Sequence, residues 1–167
     1  EEVAQHKQVN EALKVARKQL IEYEHRLKLA LQAGRIGIWE WDLKGNQIYW
    51  NEFSPDKVGL TPRVFLGTYQ EVANLIHPAD LTRVRQEIKK AIRQQAELEV
   101  NFRIILEDNS VRYINSRGLT YYNEAGNPVK MSGVSMDTTA QAEAHTKLAE
   151  TQFLLQQVAD AIPDTLY

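Results

Sequence analysis

The chain contains no cysteine. That absence excludes disulfides, cysteine-ligated zinc, thiolate-bound haem, a cysteine nucleophile and a cysteine-linked chromophore. It also suits a reducing compartment, so a cytoplasmic location is expected. Charge of one sign is not in excess: 20 Lys and Arg against 22 Asp and Glu leave a formal net charge of -2. A nucleic-acid partner, which would call for a basic stripe, is therefore not expected. No apolar run approaches the roughly 20 residues of a membrane span, and no signal-peptide pattern opens the chain. No membrane contact is expected within this stretch. Gly-rich phosphate loops, nucleophile elbows and paired-carboxylate clusters are missing too, so neither catalytic activity nor a metal site is expected. What remains, 43% hydrophobic and 25% charged residues in 167, fits a soluble globular domain with accessories rather than a disordered chain. The chain does not open on Met, which is expected of a piece of a longer protein.

Aromatics are few, at 8%, and all three tryptophans fall in one short stretch. Ile36-Gly37-Ile38-Trp39-Glu40-Trp41-Asp42-Leu43 and Gln47-Ile48-Tyr49-Trp50-Asn51-Glu52 are alternating runs separated by Lys44-Gly45-Asn46. This is the signal of a β-hairpin. Side chains two apart on a strand share a face, so Trp39 and Trp41 point the same way and Ile48 and Trp50 match them. Glu40 and Asp42 take the other face. Two readings follow: plain core, because large rings dominate burial anyway, or the floor of a ligand cavity.

Proline and glycine are absent from residues 1–33, which are rich in helix formers. Val9, Leu13, Ala16, Leu20, Tyr23, Leu27 and Ala30 recur at alternating spacings of four and three, a heptad seam. Gly34 is expected to end this helix. After the hairpin, Asn51 to Gly59 reads as a turn into a short helix, with Ser54 as cap and Pro55 at the first helical position. A further short helix covers Tyr69 to Ile76. A longer one starts at His77-Pro78-Ala79-Asp80 and carries Leu81, Val84, Ile88, Ala91 and Ile92. Its Arg83, Arg85, Lys89, Lys90 and Arg93 lie off that stripe, as on a solvated face. From Leu98 the period changes to two, with Val100, Phe102, Ile104 and Leu106 on one face. Turns at Asp108-Asn109 and at Asn123 to Pro128 bound two more strands, the last over Val129 to Met136. Asp137-Thr138-Thr139 then caps a final helix with a second four-three repeat, Ala144, Leu148, Thr151, Leu155, Val158 and Ile162. The fold class is α+β: a five-stranded antiparallel sheet with helices inserted after strand 2, flanked by terminal coiled-coil helices.

Several motifs in this order resemble the PAS family. Gly37-Ile38-Trp39-Glu40-Trp41-Asp42-Leu43 is similar to the opening strand of the subgroup that begins Gly-x-Trp-x-Trp-Asp. Ile76-His77-Pro78-Ala79-Asp80 resembles its His-Pro-Asp-Asp signature, with Ala79 for the first acid. Phe102-Arg103-Ile104 and Asp108-Asn109-Ser110-Val111-Arg112-Tyr113-Ile114 resemble its Tyr-Arg-Ile and Asp-Gly-Ser-x-Arg-Trp-Ile segments. Gly133-Val134-Ser135-Met136-Asp137-Thr138-Thr139 resembles the closing Gly-x-x-x-Asp-Ile-Thr. Val158 to Tyr167 is similar to the entry of another such domain. The expected organisation is a helical linker or coiled coil over 1–33, a sensor domain over 34–139, a signalling helix over 140–162 and the start of a following module over 163–167.

The resemblance implies a non-catalytic sensory module that passes the state of a ligand, cofactor or partner to an effector, a histidine kinase or a cyclic-dinucleotide enzyme. Its ligand-pocket candidates are Trp39, Trp41, Ile48, Trp50, Ile88, Phe102 and Ile104. Its relay candidates are Asp137, Thr138 and Thr139. Asp137 either ties back to the domain through Arg103, Arg112 or Arg117, serves as a helix cap, or does both. The dimer seam of a parallel homodimer would use Leu13, Leu20, Leu27, Leu148 and Leu155. No cysteine is present for a flavin photoadduct, and His77 reads as a structural cap rather than a haem ligand. No cofactor is therefore expected; non-covalent flavin or an organic acid remains open as a small-molecule ligand, although three inward tryptophans leave little space. The alternative is a ligand-free dimerisation or protein-interaction module. His25 and His145 lack the neighbours of a phospho-acceptor box, so neither is expected to take label from ATP.

Overall fold

The computed structural model describes residues 2–51 and 65–161. Helix α1 (Glu2–Gly34) leads into strands β1 (Ile36–Asp42), β2 (Gln47–Asn51) and β3 (Phe65–Gly67). Helices α2 (Tyr69–Leu75) and α3 (Pro78–Gln94) follow, then β4 (Leu98–Ile105), β5 (Val111–Tyr122) and β6 (Pro128–Asp137), and finally α4 (Thr139–Ala161). The strands form one antiparallel sheet in the order β3-β2-β1-β6-β5-β4. The five strands read from the sequence are all present. The sixth, β3, is a three-residue edge strand beside β2, too short to leave an alternation in the sequence. The helix expected between Asn51 and Gly59, with Ser54 and Pro55, lies outside the described residues.

The hairpin register places Trp39 opposite Trp50 and Trp41 opposite Ile48, so one face of β1 and β2 is aromatic. The turn is fixed by Asp42, whose Oδ1 accepts from the Lys44 and Gly45 N–H groups at 3.0 and 3.1 Å. Asn46 adopts φ 50°, a left-handed conformation that Asn tolerates. Its side-chain oxygen also accepts from the Tyr69 N–H at 3.3 Å, which ties the hairpin turn to the first residue of α2. That helix begins with a reciprocal capping box between Thr68 and Glu71.

The end of α1 differs from expectation in one detail. The helix includes Gly34, and it is Arg35 that turns left-handed, at φ 51°. A Cβ on Gly34 would come within 2.9 Å of the Ile36 side chain. Glycine there serves close packing rather than an unusual φ.

Strand β4 is an edge, and unpaired edge groups invite association. The start of α3 covers it. The His77 N–H donates to the Arg103 carbonyl at 2.8 Å, and the Arg83 guanidinium donates to the Asn101 carbonyl at 2.7 Å. Asp80 accepts from the Arg103 backbone N–H, Nε and Nη2 at 2.9, 2.9 and 2.8 Å. These bonds, with the arginine beside it, hold the Asp80 carboxyl well below the usual carboxylate range. The core lies between this helix and the inner face of the sheet: Ile76, Val84, Ala91, Leu98, Val100 and Met131, with Trp39, Trp41, Ile88 and Phe102 packed on it.

Candidate functional site

The inner sheet face and helices α2 and α3 leave a cavity of about 90 Å³. Trp39, Trp41, Ile48, Trp50, Ile88, Phe102 and Ile104 all stand on its wall, so hairpin, helix and β4 bring the sequence candidates together. Tyr69, Met131, Ser116 and Ser135 also line it, and the sequence pattern did not single them out. Tyr69 stacks on Trp41, ring centres 4.9 Å apart and planes 13° from parallel. Burial pushes its phenol pKa up, partly countered by Arg85. Nothing in the alternation of β1 reveals this stack, because Tyr69 is 28 residues away from Trp41 and arrives through α2.

Trp39 rests on a platform of glycines. Gly118 and Gly133 face each other across β5 and β6, and Gly133 is also the register partner of Trp39. A Cβ on Gly118 would lie 2.5 Å from the Trp39 ring, and one on Gly133 would lie 2.7 Å from it. The absence of side chains at these two positions thus sets how far the indole sinks toward the sheet.

Among the described residues, no charged side chain lines the cavity. Its polar element is the buried Ser116–Ser135 hydroxyl pair, 3.0 Å apart. The Nε1–H groups of Trp39, Trp41 and Trp50 are buried and have no hydrogen-bond partner among the described residues. The His77 Nδ1 accepts from the Ala79 N–H at 3.2 Å as the cap of α3. His25 and His145 are exposed on the terminal helices. Pockets for drug-sized ligands run to about 300–1,000 Å³, so a haem or flavin does not fit the cavity as it stands.

Ser116 and Ser135 are register partners, and two residues further along the same strands Ile114 pairs with Asp137. There the sheet passes into α4. Asp137 Oδ1 accepts from the Thr139 N–H at 2.9 Å and from its hydroxyl at 2.5 Å. The Thr139 hydroxyl in turn accepts from the Tyr113 N–H at 2.9 Å. Thr138 donates to the Tyr113 carbonyl through both its N–H, at 2.8 Å, and its hydroxyl, at 3.2 Å. Both backbone groups of one β5 residue are therefore held by Thr138, just before the exit helix, and by Thr139, its first residue. Asp137 acts here as a cap. Of the arginines considered as its partner, Arg103 is held by Asp80 and Arg117 by Glu99. A tie to the domain runs through Thr138 and Thr139 to main chain, which a search for opposite charges would not find.

The seam leucines lie far from the cavity, on solvent. Leu13, Leu20 and Leu27 are 61%, 57% and 44% exposed on α1, and Leu148 and Leu155 are 58% and 64% exposed on α4. Among the described residues, no helix is long and apolar enough to cross a membrane, and no group of three or more His, Asp or Glu could hold a metal ion.

A family profile described as the PAS fold matches residues 47–135, just over half of the chain. The chain belongs to the PAS family. A solved structure of a sensory box histidine kinase/response regulator from Burkholderia thailandensis shares this PAS architecture, with a TM-score of 0.65 and 26% identity over 79% of this chain and 98% of that one. A probable diguanylate cyclase, DgcE, of Escherichia coli is 26% identical over 98% of this chain. The sensor protein FixL of Bradyrhizobium diazoefficiens is 24% identical over 86% of it. The PAS chain spans only 15% and 28% of the length of these two relatives.

Proposed function

We propose that this PAS domain is a cytoplasmic sensory relay, in which the occupancy of the tryptophan-walled cavity sets the geometry of α4. The observation that carries the reading is the short path between them. The serine pair on the cavity wall and the Tyr113–Thr138–Thr139 bonds lie along β5 and the end of β6, three to four residues apart. A strand held at both backbone groups transmits a shift to the helix rather than absorbing it, as packed elements with discrete arrangements do. The relay begins in the sensor domain over 34–139 and continues along the helix over 140–162. The effector would be a histidine kinase or cyclic-dinucleotide enzyme elsewhere in the parent protein, consistent with relatives of which this chain covers a small part.

The apolar rows of α1 and α4, exposed in one copy, would be covered in a parallel homodimer through heptad packing. Leu20→Asp and Leu155→Asp should each weaken the dimer in sedimentation velocity, and an unchanged profile for both would remove it. The absence of cysteine makes Glu150→Cys a unique spin-labelling site on α4. Gly118→Ala, which drives the Trp39 ring toward the cavity, should change the distance between the two labels of the dimer. An unchanged distance in an intact dimer would overturn the relay and leave a ligand-free dimerisation module.

A further inference from the structure

Resting on the reading of the cavity as a sensing site, the structure also bears on what enters it. We propose that the ligand is a compact, uncharged organic molecule that carries a hydrogen-bond acceptor, such as a small ketone. Three features set this class. The first is volume. A space of about 90 Å³ equals about three waters' share of the liquid, and an apolar cavity near 150 Å³ takes benzene, so the occupant has roughly three to four non-hydrogen atoms.

The second is charge. An ion moved from water into an apolar space needs a partner of opposite sign. Among the described residues, the wall offers Trp, Ile, Val, Leu, Phe, Tyr, Met and Ser side chains and no Lys, Arg or His. Arg85 bears on the Tyr69 phenol but is not among the lining residues, so an organic acid, one of the classes open from the sequence, would meet no cation on the described wall. The third is donors. Three indole N–H groups on residues of this wall are buried without partners. Buried donors in folded proteins are nearly always satisfied, and leaving one unmade is costly. An acceptor oxygen or nitrogen that reaches one of them from the cavity would satisfy it. A purely apolar occupant satisfies none. The wall therefore selects for an acceptor and against a charge.

The test uses the three indole N–H signals, which report the wall directly because the chain has no other tryptophan. The full chain, labelled with nitrogen-15, is titrated with acetone, with 2-methylpropene (the same shape without the acceptor) and with acetate at pH 7. Trp39→Phe, Trp41→Phe and Trp50→Phe assign the signals. Acetone should move at least one indole proton downfield in a saturable way, 2-methylpropene should produce no downfield shift, and acetate should not saturate. Equal shifts from the ketone and the hydrocarbon, saturable binding of acetate, or no saturable shift with the ketone would each overturn the proposed class. If the hydrocarbon alone changes the α4 label distance, the relay stands and only the ligand class falls.

Discussion

Replacing Thr139 with Val removes one hydroxyl and keeps the shape of the side chain. Thr139 is 4% exposed, and that hydroxyl accepts from the Tyr113 N–H while donating to Asp137. Val leaves the Tyr113 N–H buried without an acceptor, which costs about 1–3 kcal/mol, and deletes a second bond to a carboxylate worth about 1–2 kcal/mol. A buried methyl returns less than about 1 kcal/mol. The net expectation is a loss of about 2–3 kcal/mol. For a chain of this size that corresponds to a fall in Tm of about 4–12 °C. An ordinary surface helix cap would lose only about 1 kcal/mol, so the magnitude separates a weld from a cap. Urea unfolding followed by tryptophan fluorescence gives the stability. Hydrogen exchange at the Tyr113 and Ala142 amides should accelerate well beyond the global change, because the Ala142 N–H bonds to the Thr138 carbonyl in the first turn of α4. A loss below about 0.5 kcal/mol, with exchange unchanged at both amides, would refute a helix held rigidly to β5.

Other perturbations follow from the same contacts. Asp80→Ala should destabilise by about 2–3 kcal/mol at pH 7 by stripping three bonds from partly buried Arg103. The Asp80 pKa is depressed by folding, so its contribution is fully present above the unfolded value near ~3.9 and fades as pH falls toward the folded one. The stability gap between wild type and variant should therefore narrow between about pH 5 and pH 2, and a constant gap in acid urea titrations would count against the clamp. Gly133→Ala should cost about 3 kcal/mol or more, because its Cβ meets the Arg117 carbonyl and the Gly118 Cα, which cannot yield without moving the strand. Gly118→Ala should cost less, since its tightest contacts are with the Trp39 ring. Thermal unfolding that ranks the two in the opposite order would show that the platform has been misread.

The strongest local signals of the chain were enough to specify its described elements apart from the short edge strand β3. Period-two alternation in Ile36 to Asn51 and from Leu98 onward fixed which side chains share a face, because a pleated strand leaves them no other choice. Heptad spacing and the lack of Pro and Gly fixed the terminal helices. The cap at His77 and the turns at Asn46, Asn109 and Gly126 were legible for the same reason: each is set by the residue and its immediate neighbours. Contacts between distant segments were a different matter. Tyr69 on Trp41, Trp39 on Gly118 and Gly133, and Asp80 on Arg103 all join residues at least 23 positions apart, and no local period encodes them. The same holds for the exit of the domain. Asp137-Thr138-Thr139 announced a helix cap by composition, but only the pairing of β5 with β6 brought the Tyr113 main chain within reach of both threonines. Periodicity determines which face a side chain takes; what it meets there depends on how the sheet is ordered, and that order is decided by packing the whole chain at once.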